Sequence, residues 1–332
     1  MIPSALLGNV RSTVVEYGLL EPGEEIMVAF SGGKDSLALA LCLSELGHRV
    51  RSVAVDMGYD SGWPNRIRTV GAAAGFDVEV LDVRAGLAQF VPPPERREIR
   101  MRLAVLNKLS VQNVGAVTPC THCYNSKVIA LDNVVRQAGQ QKIAFGHHRT
   151  DACASLLKEA LLRIDRFDRG HERYARANFE SLVAELAVEA ESYPAGPYPL
   201  FRRIIELVTD RHVDTDEPPR QPLRTDREGT EIIRPLFYVW EETLAQLAVD
   251  LDLSPEASGC GHSAASETET MREMVHYRIL RNPAARAFRT RLAALVASTV
   301  ACSGYGVRRS RYHRADDLGI EYRRQPPISD KL

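Results

Sequence analysis

Apolar and polar positions alternate between two kinds of segment over the first half of the chain. A short apolar run, Ile26 to Phe30, ends in Ser31-Gly32-Gly33 and gives way to a helical pattern from Lys34 to Leu46. A second apolar run, Val50 to Val55, stops at Asp56-Met57-Gly58. A third, Val78 to Leu81, follows a helix predicted to begin near Trp63-Pro64. Helix, strand and helix are predicted again over Tyr124–Gln137, Lys142–Phe145 and Arg149–Arg163. Strands alternating with helices imply an α/β fold, a parallel sheet flanked by helices.

The pattern changes after about Asp165. Helical stretches around Tyr174–Glu191 and Phe201–Thr209 precede a charged, proline-bearing segment, Asp214 to Thr230, read as a mobile loop. The run Ile232-Ile233-Arg234-Pro235-Leu236 returns to the core, and helices are predicted over Trp240–Leu251, Glu267–Leu280 and Ala284–Thr299. We therefore expect a core over residues 1–164, a helical and charged insertion over 165–231, a core return over 232–283, and a C-terminal helix with a basic tail over 284–332.

Composition narrows the setting. A formal net charge of −1 gives no global field toward nucleic acid or an anionic membrane, so any RNA contact must come from local basic patches such as Arg308-Arg309-Ser310-Arg311. No signal peptide is read at the start, and no apolar run has membrane-spanning length. Six cysteines in 332 residues are too sparse for a disulfide scaffold, and one pair, Cys120-Thr121-His122-Cys123, has metal or redox spacing. A reducing, cytoplasmic setting with no membrane contact is the expectation.

Chemistry concentrates in a few places. The segment Ser31-Gly32-Gly33-Lys34-Asp35-Ser36 joins a strand to a helix, where unpaired amides and the positive end of the helix dipole favour an anion. It lacks the Gly-x-x-x-x-Gly-Lys-Ser spacing of the Walker loop. Asp56 and Asp151 follow strands at positions suited to ligand contact, and equally suited to capping a turn or helix. Pro119-Cys120-Thr121-His122-Cys123 is expected to open a helix, so that two thiols can face one ion from a single turn, a spacing that would also suit zinc, though no second pair exists. Cys260 sits in the glycine-bracketed turn Gly259-Cys260-Gly261. Cys42 and Cys153 read as packing residues, and the histidines near these motifs, including His147 and His148, read as surface or hydrogen-bonded groups.

The Ser31–Ser36 segment resembles the PP-loop of the ATP pyrophosphatases, which cleave ATP between its α and β phosphates. That resemblance implies a pyrophosphate grip by Ser31, Gly32, Gly33, Lys34, Asp35 and Ser36, with Asp35 near magnesium, and adenine contacts from the backbone around Val55 and Asp56. Gly146-His147-His148-Arg149-Thr150-Asp151 is similar to the Gly-His-x-x-Asp element of the same family. The order PP-loop, Cys-x-x-Cys, Gly-His-x-x-Asp, Arg-Pro-Leu, Cys resembles the tRNA thiolases that make 2-thiocytidine and 2-thiouridine, over most of residues 20–280. It implies a [4Fe-4S] cluster on Cys120, Cys123 and Cys260, with one iron lacking a protein ligand, and catalytic roles for Lys127 and Asp151.

The resemblance further implies ATP and Mg2+ as cofactors and an ATP-dependent sulfurtransferase that adenylates a carbonyl oxygen, releases pyrophosphate and exchanges AMP for sulfur. The acceptor would be a tRNA pyrimidine or a small metabolite. A sulfur donor protein or free sulfide would be the source, and a homodimer is common among such enzymes. Three departures stand out: Ser263 replaces the last cysteine of a second Cys-x-x-Cys, terminal zinc-binding pairs are absent, and the insertion is long. A cluster-free PP-loop ligase and a zinc-stabilised RNA-binding module are the competing classes.

Overall fold

The structure is a computed structural model that describes residues 2–57, 61–82, 119–165, 176–209, 222–225, 230–255 and 267–302. Helix α1 (Ser4–Glu16) leads into β1 (Glu25–Ala29), α2 (Lys34–Glu45), β2 (Arg49–Asp56), α3 (Trp63–Ala73) and β3 (Val78–Asp82). Helix α4 (Pro119–Gln137), β4 (Lys142–Ala144) and α5 (Arg149–Arg163) follow, then α6 (Arg176–Ser192) and α7 (Pro199–Thr209). Strands β5 (Leu223–Thr225) and β6 (Glu231–Ile233) precede α8 (Glu241–Asp250), α9 (Glu267–Glu273), a π-helical segment (Met274–Leu280), a 3-10 turn (Pro283–Ala285) and α10 (Arg286–Cys302).

The sheet runs β3-β2-β1-β4-β6-β5. Among the described residues five strands are parallel, and β5 runs antiparallel against β6. Strands buried on both faces need apolar side chains at successive positions rather than alternating ones. Ile26, Met27 and Val28 of β1 accordingly have no exposed surface. Ile26 and Val28 pack with α1, α2 and α8 residues such as Val10, Leu39 and Leu244 on one face. Met27 packs on the other face with Val128, Leu131 and Val135 of α4.

A separate apolar core joins α5 to α6, α7, the π-helical segment and α10 through residues including Leu157, Phe179, Phe201, Val275 and Phe288. The first turn of helix α7 is capped from a neighbouring helix. Glu189 of α6, itself buried, accepts from the Leu200 amide at 2.9 Å and the Phe201 amide at 2.7 Å, which satisfies two first-turn donors and sets a negative charge at the positive helix end.

The α/β expectation holds, with two differences. The segment 214–230, expected as a loop, contains β5, an edge strand too short to display a period in the sequence. The helix expected over Glu267–Leu280 is α-helical only to Glu273 and then widens into the π-helical segment. Helix α4 starts at Pro119, as expected, since proline is favoured in a first helical turn. No helix among the described residues is long and apolar enough to cross a membrane.

Candidate active site

Strand order reverses direction between β1 and β4, and in open α/β sheets the crevice beyond the carboxyl ends at such a point receives ligands. Both borders of the crevice carry expected motifs. The loop after β1 turns through Gly32, whose φ of +73° is costly for any residue with a Cβ. Gly33 then enters α2 in an extended conformation, and no side chain caps that helix. Ser36 staples the loop: its Oγ accepts from the Ser31 amide at 3.1 Å and donates to the Gly33 carbonyl at 3.0 Å. The first-turn amides of α2 thus line the mouth with partial positive charge.

The other border presses directly on this loop. A Cβ on Gly146 would stand 2.9 Å from the Asp35 carbonyl carbon and 2.9 Å from the Ser36 amide nitrogen. Only a glycine permits that approach, so the Gly146 element and the Ser31–Ser36 loop form one packed unit. Residues 147 and 148 continue the unit. His147 stacks on Phe145 at 5.5 Å and accepts from Nε of buried Arg234 at 3.3 Å. His148 has no exposed surface, and its Nε2 lies 3.5 Å from Asp35 Oδ1 and 3.6 Å from Asp151 Oδ2.

These contacts belong to a half-buried charge network. Lys34 Nζ sits 3.0 Å from Asp35 Oδ1 and 2.9 Å from Glu241 Oε1. Arg272 of α9 spans the carboxylates, with Nε 3.2 Å from Asp151 Oδ1, one terminal nitrogen 3.5 Å from Glu241 and the other 3.5 Å from Glu269. Glu241 also meets His276 Nδ1 at 3.4 Å, and its amide donates to Thr150 Oγ1 at 3.3 Å, which ties α8 to α5. Asp151 does cap its own helix, accepting from the His148 amide at 3.1 Å, while its other oxygen takes Arg272.

The network sets protonation. For His148 burial is the largest influence and pushes its pKa down, but Asp151, Asp35 and Glu241 together outweigh it and hold the ring above its ordinary value. Burial likewise pushes Asp35 up, yet His148 and Lys34 more than compensate and leave it below the usual carboxylate value. Lys34 ends above its ordinary value, burial being outweighed by Asp35 and Glu241.

Other expected residues fall as follows. Val55 and Asp56 are buried at the carboxyl end of β2. Cys120 and Cys123 lie in the first turn of α4, whose chain runs back toward β4, so that turn stands at the carboxyl edge of the sheet, with half-buried Lys127 one turn further on. Cys260, and any contact among the three cysteine side chains, lie outside the described residues. Cys42 and Cys153 are buried thiols pushed up to about 12 chiefly by burial, which suits packing.

Sequence reading passed over Glu241, Arg272 and His276, and took His148 for a surface or hydrogen-bonded ring when it is a buried one between two carboxylates. Glu241-Glu242 carries only the ordinary signal of acids in a first helical turn. Arg272 and His276 come from a distant helix whose approach has no local signature.

A magnesium site is not assembled here: no group of three or more metal-ligating side chains occurs among the described residues, and Asp35, Asp151 and Glu241 are each engaged by cationic side chains. Of the three cysteines that the resemblance assigns to an iron–sulfur cluster, Cys120 and Cys123 fall at the start of one helix, α4.

No family model matches the chain. The tRNA-cytidine(32) 2-sulfurtransferase of Geotalea daltonii is 29% identical over 163 residues, 47% of this chain and 58% of that protein. Its counterpart in Anaeromyxobacter sp. (strain K) is 31% identical over 158 residues, 47% of this chain and 49% of that protein. The tRNA-5-methyluridine(54) 2-sulfurtransferase of Thermus thermophilus is 30% identical over 156 residues, 46% and 43%. The chain thus spans about half the length of the curated relatives it matches. Among solved structures, the U34-tRNA thiolase NcsA from Methanococcus maripaludis, determined with its [4Fe-4S] cluster, aligns over 99% of this chain and 83% of its own, with a TM-score of 0.50 and 15% identity, a likeness of fold. Taken with the loop, the Gly146 element and the crevice they enclose, these similarities relate about half of the chain to the PP-loop tRNA 2-sulfurtransferases.

Proposed function

We propose that the protein is an ATP-dependent sulfurtransferase that activates a carbonyl oxygen of a tRNA pyrimidine as its adenylate and exchanges it for sulfur. The observation that carries this reading is the packing of Gly146 onto the Asp35–Ser36 backbone, which fixes the phosphate loop and the Asp151 helix as one site. Two of the three relatives named above act, by name, on tRNA cytidine, and the third on a tRNA 5-methyluridine.

A carbonyl oxygen is a poor leaving group, so it must first be converted into a better one. Attack of that oxygen on the α-phosphate of ATP expels pyrophosphate, and the α2 amides with Lys34 stabilise the charge that develops there. Lys34 reaches the phosphates by exchanging Glu241 for a phosphate oxygen. Arg272 keeps Asp151 oriented meanwhile, and Asp151 and Lys127 position the base and move the proton that sulfur delivers. AMP then leaves as sulfur takes its place on the carbon. A [4Fe-4S] cluster held by Cys120, Cys123 and Cys260 would supply an iron with an open coordination position for sulfide.

The test is anaerobic purification followed by iron and acid-labile sulfide analysis, with pyrophosphate release and thionucleoside formation measured on tRNA. Cys120→Ala, Cys123→Ala and Cys260→Ala are each expected to abolish brown colour and thiolation together. Thiolation by a cluster-free preparation contradicts the cluster, and ATP cleavage without pyrophosphate contradicts the adenylate.

A further inference from the structure

From Met274 to Ala315 the sequence contains nine arginines and not one aspartate or glutamate, in a chain whose net charge is −1. A segment this one-sided is locally a polycation. Within its described part, Arg289 is committed to the fold, paired with Glu242 and lying over Trp240 at 4.2 Å. Arg278 and Arg281 are exposed, and neither is ion-paired among the described residues.

Between them and the charge network stands Tyr277, an aromatic side chain left 60% exposed. The Arg281 guanidinium lies over one face of its ring at 4.7 Å, a cation–π contact. Tyr277 meets the edge of His276 at 4.9 Å and 83°. His276 in turn contacts Glu241, the carboxylate that holds Lys34 of the phosphate loop. The widened π-helical backbone delivers this arrangement: it presents consecutive residues 276 and 277, one to the buried network and one to solvent. An exposed ring beside two exposed arginines, and next in sequence to a buried member of the charge network, is suited to binding an unstacked base with its flanking phosphates.

We propose that Tyr277, Arg278 and Arg281 form the RNA-docking surface of this protein, with Tyr277 stacking a base of single-stranded RNA next to the site. This rests on the tRNA reading above and names the surface that reading requires. A small uncharged metabolite would have no use for the two exposed cations, and a basic protein partner would be repelled by them.

The experiment is equilibrium binding of full-length protein to a labelled tRNA transcript over a range of salt concentrations, with ATP binding measured in parallel. The Arg278→Glu/Arg281→Glu double variant is expected to weaken RNA binding at least tenfold and to reduce the steepness of its salt dependence by about two phosphate contacts. Tyr277→Ala is expected to lose about 5- to 150-fold, as a lost stacking partner would, and Tyr277→Phe to retain affinity. ATP binding should be unchanged in all of them, which also verifies folding. If wild-type protein binds tRNA and these variants bind it equally well, this surface is wrong while the thiolase reading survives. If wild-type protein binds no tRNA, the tRNA reading fails and the surface with it.

Discussion

Replacing Gly146 by alanine tests whether the Gly146 element and the phosphate loop form one unit. The added methyl meets two backbone atoms at 2.9 Å, where ordinary contact begins at 3.4 Å, so the α2 N-terminus or the residue 146 backbone must move by half an ångström or more. Backbone cannot rotate away as a flexible side chain would. Overpacking of this kind costs about 1–3 kcal/mol, or roughly 1–4 °C in Tm for a chain of this size. The larger effect falls on the ligand. The Ser36 staple, at 3.0 and 3.1 Å, has little slack before its hydrogen bonds are lost. An amide misdirected by that shift forfeits a bond to a charged phosphate, about 1.5–3 kcal/mol, which weakens ATP binding by about 10- to 150-fold. Gly8→Ala is the control. Gly8 lies exposed in α1 with nothing within 4 Å of the new methyl, so that variant should gain about 0.5–1 kcal/mol and bind ATP normally. Calorimetric melting and ATP titration read both effects. Gly146→Ala protein with wild-type melting and ATP affinity would refute the close packing and the site built on it.

Further outcomes follow from the charge network. Glu241→Gln removes the carboxylate that competes for Lys34, so pyrophosphate should bind several-fold more tightly by calorimetry; unchanged or weaker binding contradicts the exchange. Arg272→Met leaves Asp151 without its clamp and should lower the thiolation rate by about 100-fold while ATP affinity holds, with Arg272→Lys restoring only part because it lacks the planar fork. His148, raised above 6.5, contributes stability that is fully present below pH 6.5 and lost as pH rises through the folded value. The melting gap between wild type and His148→Gln should therefore narrow on the alkaline side of pH 6.5, and a gap that widens there would mean the ring is neutral in the fold.

How much the sequence disclosed depended on how local each cause is. Strand, loop and helix around Ser31–Ser36 are legible because apolar run, glycine turn and helical period all sit within about twenty residues. Asp151 is legible as a capping acid for the same reason, since its amide partner, His148, is three residues away. Its second role is invisible in one dimension, because Arg272 arrives from α9 more than a hundred residues later. His148 illustrates a different limit: histidine is compatible with surface and interior alike, and what decides its state is the meeting of Asp35, Asp151 and Glu241 from three elements. Strand β5 escaped because three residues cannot express a period of two.

The network also indicates which cation an incoming nucleotide would take. With His148 protonated, Lys34, Arg272 and His148 face four carboxylates, Asp35, Asp151, Glu241 and Glu269, so the network carries no spare positive charge beyond the α2 amides. A polyphosphate must draw a cation from a carboxylate. His148 is wholly buried, and Arg272 is held at three points, each of which would have to be broken. Lys34 is a single ammonium on a flexible stem, one quarter exposed, already at the helix N-terminus where phosphate is favoured. It is the group that can change partners, and when it does Glu241 still retains Arg272 and His276. In the proposed exchange Glu241 is therefore the carboxylate that gives up a partner, while Arg272 and His276 keep it in place.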